Sequence, residues 1–212
     1  MDSIEDDENK YLKIIDYKSG KQKFDFAKIF HGLQMQLIIY MNAMMELYEK
    51  KTGKRVYPAG MFYFHMDDPI VNAEHENEAE HKILKDLKMS GVVNEDFQLI
   101  DHMEHTGSEG YLTLPVRATK NGYDKRSSVL NTTQLFNLGR IVEKKMTELG
   151  NSLMHGDISI KPYEYEGRKP CEYCEFKNIC AYEDGVDQVE KIKKVSLEEG
   201  KHALDQTTAE SH

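Results

Sequence analysis

A carboxylate and an ammonium group lie two residues apart near the start of the chain, as Asp16 and Lys18 behind the apolar pair Ile14 and Ile15. Successive side chains of a β-strand point to opposite faces, so Asp16 and Lys18 would share one face and Tyr17 would lie on the other. Such a pair can belong to a reactive site, or it can be an ordinary, partly buried ion pair. The pattern Asp-x-Lys occurs by chance in many proteins and does not separate the two.

Three cysteines form a second candidate site, because Cys171, Cys174 and Cys180 lie within ten residues and the rest of the chain has none. A disulfide framework would more usually spread an even number of cysteines across a secreted chain. Clustered thiols favour a metal site over free buried cysteines. Thiolates suit zinc and iron–sulfur clusters alike, so the ligand type does not select the metal. The residues expected to shield such a site are Pro170, Tyr173, Phe176 and Ile179.

The elements around Asp16 are predicted to be a strand, a helix and a second strand. Apolar residues recur at helical spacing from about Gly32 to Lys51, and Gly53 is a suitable stop. Gln36 and Tyr40 are four residues apart and therefore share one face of this helix. A strand before the helix and an aromatic strand at 57–66 after it match a crossover unit.

The remaining chain predicts smaller elements. In order they are a short helix or an irregular docking segment at 24–31, helices at 74–88 and 96–103, a strand at 111–116, a hairpin turn at Asn121-Gly122 with a return strand at 127–130, and a helix from Asn131 or Thr132 to about Leu149 with Gly150 behind it. His65, His102 and His105 are interpreted as ordinary solvated or hydrogen-bonded histidines. The chain divides into a core at 1–155, a cysteine-rich loop at 156–185 and a charged tail at 186–212 that is expected to be disordered.

Composition places the chain among soluble globular proteins. Its 212 residues, 39% hydrophobic, can form one domain with a core, and no apolar run approaches the roughly 20 residues of a membrane span. No signal peptide opens the chain, so a cytoplasmic location is expected. The net charge of −9 argues against a strong free-standing nucleic-acid binder. Cations cluster locally, at Lys18, Lys21, Lys23 and Lys28 and again at Lys50, Lys51, Lys54 and Arg55, so weak DNA contact is possible.

The order of strand, Asp-x-Lys, loop and helix with Gln-x-x-x-Tyr resembles the RecB-type branch of the PD-(D/E)XK nuclease superfamily. More narrowly, the chain is similar to the nuclease domain of the AddB (RexB) family of helicase–nuclease subunits, and the resemblance covers nearly all of residues 2–190. Further segments that look like the family's are 58–65, 87–91 and 156–163. The resemblance implies an α/β, restriction-endonuclease-like fold: a central mixed sheet flanked by helices, with a C-terminal metal-clip loop.

The resemblance also implies a chemistry for the first candidate site. Asp16 and the backbone carbonyl of Tyr17 would hold Mg²⁺, and Lys18 would orient the attacking water and stabilise the transition state. Gln36 and Tyr40 would contact DNA or the lysine; otherwise they are an amide and a phenol buried against the sheet. The implied activity is exonucleolytic hydrolysis of single-stranded DNA, with AddA as the partner subunit, in double-strand-break repair and recombination.

The chain departs from the family in two ways. The family's other metal-binding aspartate belongs to a Gly-x-x-Asp-Arg-x-Asp strand, of which Asp2-Ser3-Ile4 is interpreted as the end. The three cysteines resemble the last three ligands of a [4Fe–4S] cluster whose fourth cysteine is absent here. Zinc, completed by a water or by His155, or an empty site is then expected. The fragment is expected to be inactive by itself, and the alternative is a non-catalytic DNA-binding or protein-interaction module that keeps the nuclease fold.

Overall fold

A mixed β-sheet flanked by helices forms the centre of the computed structural model, which describes residues 2–66, 68–104, 111–119, 122–124 and 126–207. In chain order the elements are β1 (Asp2–Glu5), β2 (Asn9–Lys18), α1 (Phe26–Phe30), α2 (Gln36–Thr52), β3 (Arg55–His65), α3 (Glu76–Asp86), β4 (Ser90–Asn94), α4 (Phe97–Met103), β5 (Ala118–Thr119), β6 (Gly122–Tyr123), β7 (Val129–Leu130), α5 (Thr132–Met154), β8 (Tyr163–Tyr165), a 3-10 turn (Pro170–Tyr173), α6 (Lys177–Cys180), β9 (Glu190–Ile192) and α7 (Leu197–Gln206). The α/β prediction is confirmed.

The main sheet has five strands in the order β1-β2-β3-β4-β7. The pairs β1/β2 and β3/β4 are antiparallel, whereas β2/β3 and β4/β7 are parallel. Parallel neighbours need a long crossover connection, and α2 supplies it between β2 and β3 as predicted. Two further pairs, β5/β6 and β8/β9, lie outside this sheet.

A bulge at Ala59 sets which side chains of β3 face which core. Leu12 pairs with Pro58 but Lys13 pairs with Gly60, so β3 carries one extra residue at this point. Val56 before the bulge and Met61 after it therefore both face the core beneath α2 and α5. Phe62 points to the opposite face and joins a second core. Members of this second core include Met89, Val93, Ile100, Tyr111, Leu114 and Val116.

The helix that carries Gln36 and Tyr40 begins later than the apolar pattern predicts. Gly32 has a φ of 79°, a left-handed conformation that ends the turn behind α1, and α2 starts only at Gln36. The predicted stop is confirmed, because Gly53 caps α2 with a φ of 71°. Asp25 caps the short helix α1 by accepting from the amides of Ala27 and Lys28. No helix within the described ranges is long and apolar enough to cross a membrane.

Helix α5 is longer than predicted. Asn131 caps it as expected, in a reciprocal capping box with Gln134. Gly150 does not end the helix, which continues to Met154, and the left-handed residue is Gly156, with a φ of 72°. A glycine lowers the stability of a helix but does not prevent the helix from continuing. The prediction that α5 ends before Gly150 was therefore wrong.

The strand predicted at 111–116 is wrong. The Glu104 carboxylate accepts hydrogen bonds from the backbone amides of Leu112, Thr113 and Leu114, at 2.7 to 3.2 Å, and so occupies donors that a sheet would need. Leu114 and Val116 are still buried in the second core.

The return strand predicted at 127–130 is also wrong. The hairpin forms between Ala118–Thr119 and Gly122–Tyr123, although Asn121 of the predicted turn lies outside the described residues. Val129 and Leu130 instead pair in parallel with Val93 and Asn94 of the main sheet.

The prediction of a disordered tail is contradicted for residues 186–207. Strand β9 pairs with β8, and α7 packs against α5 with the Leu204 side chain fully buried. Two polar contacts fix this packing: Asn137 Nδ2 donates to the Leu204 carbonyl, and Gln134 Nε2 donates to Asp205, both at 2.9 Å. The buried residues of α7 are Gly200 and Leu204, and two such residues among many charged ones did not form an apolar pattern in the sequence.

Candidate active site

Asp16 and Lys18 lie on one face of β2, at its carboxyl end, as their spacing predicts. The same face carries Leu12 and Ile14, which are buried in the core beneath α2. Apolar burial therefore ends where the two charged residues begin, and Tyr17 points away on the other face with 58% of its surface exposed. The Asp16 side chain is 14% exposed and that of Lys18 is 32% exposed.

Three side chains from two elements form a connected set of hydrogen bonds. The Lys18 ammonium donates to the Gln36 side-chain oxygen at 2.8 Å, and the Gln36 amide nitrogen donates to the Tyr40 hydroxyl at 2.9 Å. Gln36 and Tyr40 lie one turn apart at the start of α2 and share a face. The structure thus brings together all four residues singled out in the sequence: Asp16, Lys18, Gln36 and Tyr40.

One oxygen of Asp16 has an unusual environment. Asp16 Oδ2 lies 2.9 Å from the Lys18 nitrogen but is not aligned for a hydrogen bond, and it is the buried side-chain atom for which the described part of the chain provides no hydrogen-bond partner. Leaving a charged oxygen in this state is costly, since buried carboxylates are normally both paired and hydrogen-bonded. Its chemistry suits one ligand position of a hard cation.

The backbone carbonyl of Tyr17 points away from β3, towards the β1 side of β2. The Lys18 carbonyl accepts from the Met66 amide of the chain segment behind β3, at 2.9 Å. Alternate residues of a strand direct their peptide groups to alternate sides, so the Tyr17 carbonyl faces the β1 side. There, β1 pairs with β2 only as far as Lys13. Among the described residues, no strand pairs with β2 beyond that point on the β1 side.

Tyr63 and His65 of β3 belong to the site although the sequence did not single out either as a functional residue. The parallel register pairs Asp16 with Tyr63 and Lys18 with His65 on the same face. The Lys18 nitrogen lies 5.8 Å from the centre of the Tyr63 ring. Burial, together with the Asp16 charge, raises the pKa of Tyr63 to about 12, so its hydroxyl stays protonated at physiological pH. Only the strand register, which the sequence does not contain, reveals these neighbours.

The described residues fit only part of a divalent-cation site. Within the described ranges no group of three or more His, Cys, Asp or Glu side chains is arranged to hold a metal ion. Asp2 is not a second carboxylate for Asp16, because it pairs across the sheet with Lys13 and forms an ion pair with it at 3.1 Å. Lys13 and Asp16 point to opposite faces of β2. Asp16 Oδ2 and the Tyr17 carbonyl are thus the two oxygen ligands that fit.

The cysteine segment does not form the shielded site predicted from the sequence. Cys174 is exposed, Cys171 and Cys180 are half-buried, and all three are free thiols. The apolar residues expected to shield them lie open to solvent: Tyr173 is 86% exposed, Phe176 66% and Ile179 83%. His155, considered as a fourth ligand, ends helix α5 and bonds through Nδ1 to the Asn151 carbonyl at 2.7 Å.

Comparison with known proteins identifies relatives that match most of the chain. Similar proteins, each named as the B subunit of an ATP-dependent helicase/deoxyribonuclease, are found in Clostridium tetani (37% identical over 190 residues), Ruminiclostridium cellulolyticum (33% over 186) and Lachnoclostridium phytofermentans (34% over 212). These matches cover 88%, 86% and 94% of this chain. The chain spans only 16%, 16% and 18% of the respective relatives, so it corresponds to less than a fifth of their length.

A family model agrees with the geometry of the site. The model described as PD-(D/E)XK nuclease superfamily matches residues 1–181, which include the sheet, α2 and all four site residues. The mixed sheet with a carboxylate and a lysine on one strand, faced by the Gln36 end of α2, is consistent with that match. The chain therefore belongs to the PD-(D/E)XK nuclease superfamily.

Proposed function

We propose that this chain is the nuclease domain of a helicase–nuclease and contributes to Mg²⁺-dependent exonucleolytic hydrolysis of single-stranded DNA. The observation that carries the proposal is the contact of Lys18 with Asp16 on one side and Gln36 on the other, at 2.9 and 2.8 Å. A purely structural ion pair would leave neither a buried carboxylate oxygen without a hydrogen bond nor an oriented amide and phenol beside it.

Lys18 is the residue that acts on the phosphate. Its ammonium is held from two sides and is still 32% exposed, so it can donate to a phosphate oxygen without reorganisation. Phosphodiester hydrolysis builds negative charge on the phosphate oxygens, and a pre-positioned cation stabilises that charge more than it stabilises the ground state. Gln36 fixes the ammonium, and Tyr40 fixes Gln36.

Asp16 contributes a metal-ligand oxygen in this proposal. Mg²⁺, when bound by Asp16 and the Tyr17 carbonyl together with further ligands, supplies a water of lowered pKa and a positive charge near the scissile phosphate. The support is the buried Asp16 oxygen that lacks a hydrogen bond. A carboxylate and a carbonyl are a weak pair of ligands for Mg²⁺, which prefers octahedral oxygen sites. We therefore expect this chain alone to cleave DNA slowly or not at all.

DNA and a partner protein follow from the names of the relatives. Those proteins are named as one subunit of a helicase/deoxyribonuclease, which implies a companion subunit and a DNA substrate for them. A helicase separates strands, so a nuclease domain in the same assembly receives single-stranded DNA. Under this proposal the chain works with an AddA-type helicase subunit in double-strand-break repair and recombination.

The rival function is a DNA-binding or protein-interaction module without catalysis. One observation favours it: the described residues provide no group of three or more metal-ligating side chains. The two functions differ in whether the chain cleaves DNA and in whether that cleavage depends on Lys18 and Asp16.

A chimera tests the proposal in a complete protein. The matching 190-residue segment of the Clostridium tetani relative, 37% identical to this chain, is replaced by the present sequence, and the product is assembled with its companion subunit. Cleavage of end-labelled single-stranded DNA is then followed with Mg²⁺ present. We expect cleavage that Lys18→Ala and Asp16→Ala each lower at least a hundredfold. Lys144→Ala, at an exposed position of α5 outside both cation clusters, is the matched control.

Two outcomes would contradict the proposal. A folded, DNA-binding chimera that does not cleave, beside an active parent, would favour the rival module. Robust Mg²⁺-dependent cleavage by the isolated chain, abolished by Asp16→Ala, would show that the described residues already hold the metal and that the expected weakness is wrong.

A further inference from the structure

Two cavities adjoin each other behind the loop that follows Lys18. The first has a volume of about 470 Å³ and the second of about 460 Å³. They share four lining residues, Gln22, Lys28, Tyr165 and Glu166. The two adjoining cavities, here together called the basic groove, are lined by residues of the loop at 21–25 and of the segment at 163–173.

The basic groove begins beside the candidate active site. Asp16, Tyr63 and Ser90 form one row across three neighbouring strands on the same face of the sheet. Ser90 lines the first cavity, and its hydroxyl accepts a hydrogen bond from the Phe24 amide at 2.9 Å. Neighbouring strands lie about 4.8 Å apart, so the groove starts roughly 10 Å from Asp16. Its other end reaches Tyr173 in the cysteine segment.

The groove is positively charged although the chain is acidic. Its lining contains six cationic side chains, namely Lys21, Lys23, Lys28, Arg168, Lys169 and Lys194, against two carboxylates. The whole chain carries a formal charge of −9. A local excess of cations on an acidic protein is a focused positive field, the kind that attracts a phosphate backbone.

Both carboxylates of the groove are already engaged. Asp25 accepts from the amides of Ala27 and Lys28 and from the Tyr165 hydroxyl, and Glu166 forms an ion pair with Lys194 at 3.1 Å. By contrast, Lys21, Lys23 and Arg168 are exposed and form no ion pair with any residue of the described ranges. Three cations are therefore available to a ligand.

An aromatic side chain stands at the far end of the groove. Tyr173 is 86% exposed, whereas tyrosine side chains are normally at least partly covered by other residues. A positively charged groove with an exposed aromatic ring is the arrangement that binds single-stranded nucleic acid, since cations follow the phosphates and rings stack on the bases.

We propose that the basic groove is a binding track for single-stranded DNA that leads to or from the candidate active site, with Lys21, Lys23 and Arg168 on phosphates and Tyr173 stacked on a base. The identity of the ligand rests on the proposed function. The track itself requires binding only, so it can be tested without cleavage.

The test is a titration of a fluorescein-labelled oligothymidine with the full chain in EDTA, followed by fluorescence anisotropy at several salt concentrations. Each phosphate contact to a single strand contributes about −0.7 to the slope of log K against log salt. We expect the triple variant Lys21→Ala/Lys23→Ala/Arg168→Ala to make that slope shallower by about 2. The matched triple Lys82→Ala/Lys85→Ala/Lys144→Ala removes three lysines of α3 and α5, outside both cation clusters of the sequence, and should leave the slope nearly unchanged.

The stacking contact has its own pair of variants. We expect Tyr173→Ala to weaken binding roughly tenfold and Tyr173→Phe to retain it, since stacking needs the ring and not the hydroxyl. Lysine acetylation followed by mass spectrometry is a check on the unmutated chain. The oligonucleotide should protect Lys21 and Lys23 and leave Lys85 and Lys144 unprotected.

Three results would overturn the track: no binding of the oligonucleotide by the wild-type chain at 50 mM salt, equal loss in the two triple variants, or equal acetylation of all four lysines with and without DNA. The outcome is separate from that of the proposed function. A chimera that fails to cleave while the groove triple still lowers the slope would refute the nuclease and keep the track. A chimera that cleaves DNA, together with a groove triple variant whose salt slope is unchanged, would keep the nuclease and refute the track.

Discussion

The Gln36 amide nitrogen donates to the Tyr40 hydroxyl at 2.9 Å, so this phenol is an acceptor within the site and keeps its own proton for another partner. Tyr40 is 47% exposed, and its proton is therefore available to a phosphate oxygen. We expect Tyr40→Phe to lower kcat/KM of the chimera by about 10- to 100-fold, the range for a lost hydrogen bond to a charged group. Stability should change by less than about 0.5 kcal/mol because water replaces an exposed hydroxyl.

Tyr48→Phe is the matched control for Tyr40→Phe. Tyr48 lies two turns further along α2, where its ring contacts the Lys10 nitrogen at 4.6 Å, away from Gln36. Removal of its hydroxyl should leave cleavage unchanged. Equal losses in the two variants would mean that Tyr40 acts only through the packing of α2.

Asp16→Asn should separate stability from activity. The Asp16 oxygen without a hydrogen bond is costly to bury as a charge, and the neutral amide of asparagine lowers that cost while keeping the shape. We expect an unfolding free energy within about 1 kcal/mol of wild type, or higher, together with loss of cleavage in the chimera. Urea unfolding measures the first quantity. A loss above about 3 kcal/mol would identify Asp16 as a structural ion-pair residue.

Tyr63 predicts a loss of stability at alkaline pH. Its pKa is raised from 10 to about 12 in the folded protein by burial and by Asp16. Between these values the unfolded chain loses the tyrosine proton and the folded protein keeps it, so the stabilising contribution is complete below pH 10 and is lost as the pH rises towards 12. One pKa unit corresponds to about 1.4 kcal/mol, so wild type should lose about 1 kcal/mol more than Tyr63→Phe between pH 8 and pH 11. Parallel stability curves would contradict the assignment.

Two glycines of the fold should respond in opposite directions to alanine. A Cβ on Gly91 would lie 2.0 Å from the Met61 carbonyl oxygen in the neighbouring strand, so Gly91→Ala forces β3 and β4 apart and should cost about 2 to 3 kcal/mol. Gly150 lies inside α5 with open space around it, and Gly150→Ala should stabilise by about 0.5 to 1 kcal/mol. Thermal unfolding of both variants checks the pair.

The cysteine segment is expected to hold zinc or no metal, because three thiolates need a further ligand for a [4Fe–4S] cluster. Cys171→Ser/Cys174→Ser/Cys180→Ser should leave the unfolding free energy of the core within about 1 kcal/mol, since none of the three is buried. Metal analysis and visible absorption of anaerobically purified chain provide the check. A stoichiometric brown cluster would refute this expectation.

Local patterns in the sequence predicted much of the fold and which site residues share a face, whereas the resemblance to the nuclease family singled out the four residues. The alternation in β2 places Asp16 and Lys18 on one face, and the spacing of Gln36 and Tyr40 places both on one side of α2. Both rules operate within a single element, and the crossover brings the two elements together. Gly53 stops α2 where the pattern ends, because its left-handed conformation suits a residue without a Cβ.

What the sequence could not show depends on contacts between distant residues. The Glu104 carboxylate accepts hydrogen bonds from the backbone amides of residues 112–114, so these residues do not form the predicted strand. The residue types at 111–116 do not indicate this contact. Val129 pairs with Val93 and not with the nearer hairpin. His65 and Tyr63 join the site through strand register alone. The bulge at Ala59 that sets this register lies between Pro58 and Gly60, residue types found at bulges, but they do not give the register itself.

Helix α7 has a consequence for how the protein is made. Leu204 belongs to the same core as Leu12, although the two residues lie at opposite ends of the described chain. The ribosome synthesises a chain from the N terminus to the C terminus, so the part of this core between α5 and α7 stays uncovered until residue 204 has left the exit tunnel. During that interval the nascent domain exposes the kind of surface that chaperones recognise, and its core closes only after α7 has been synthesised.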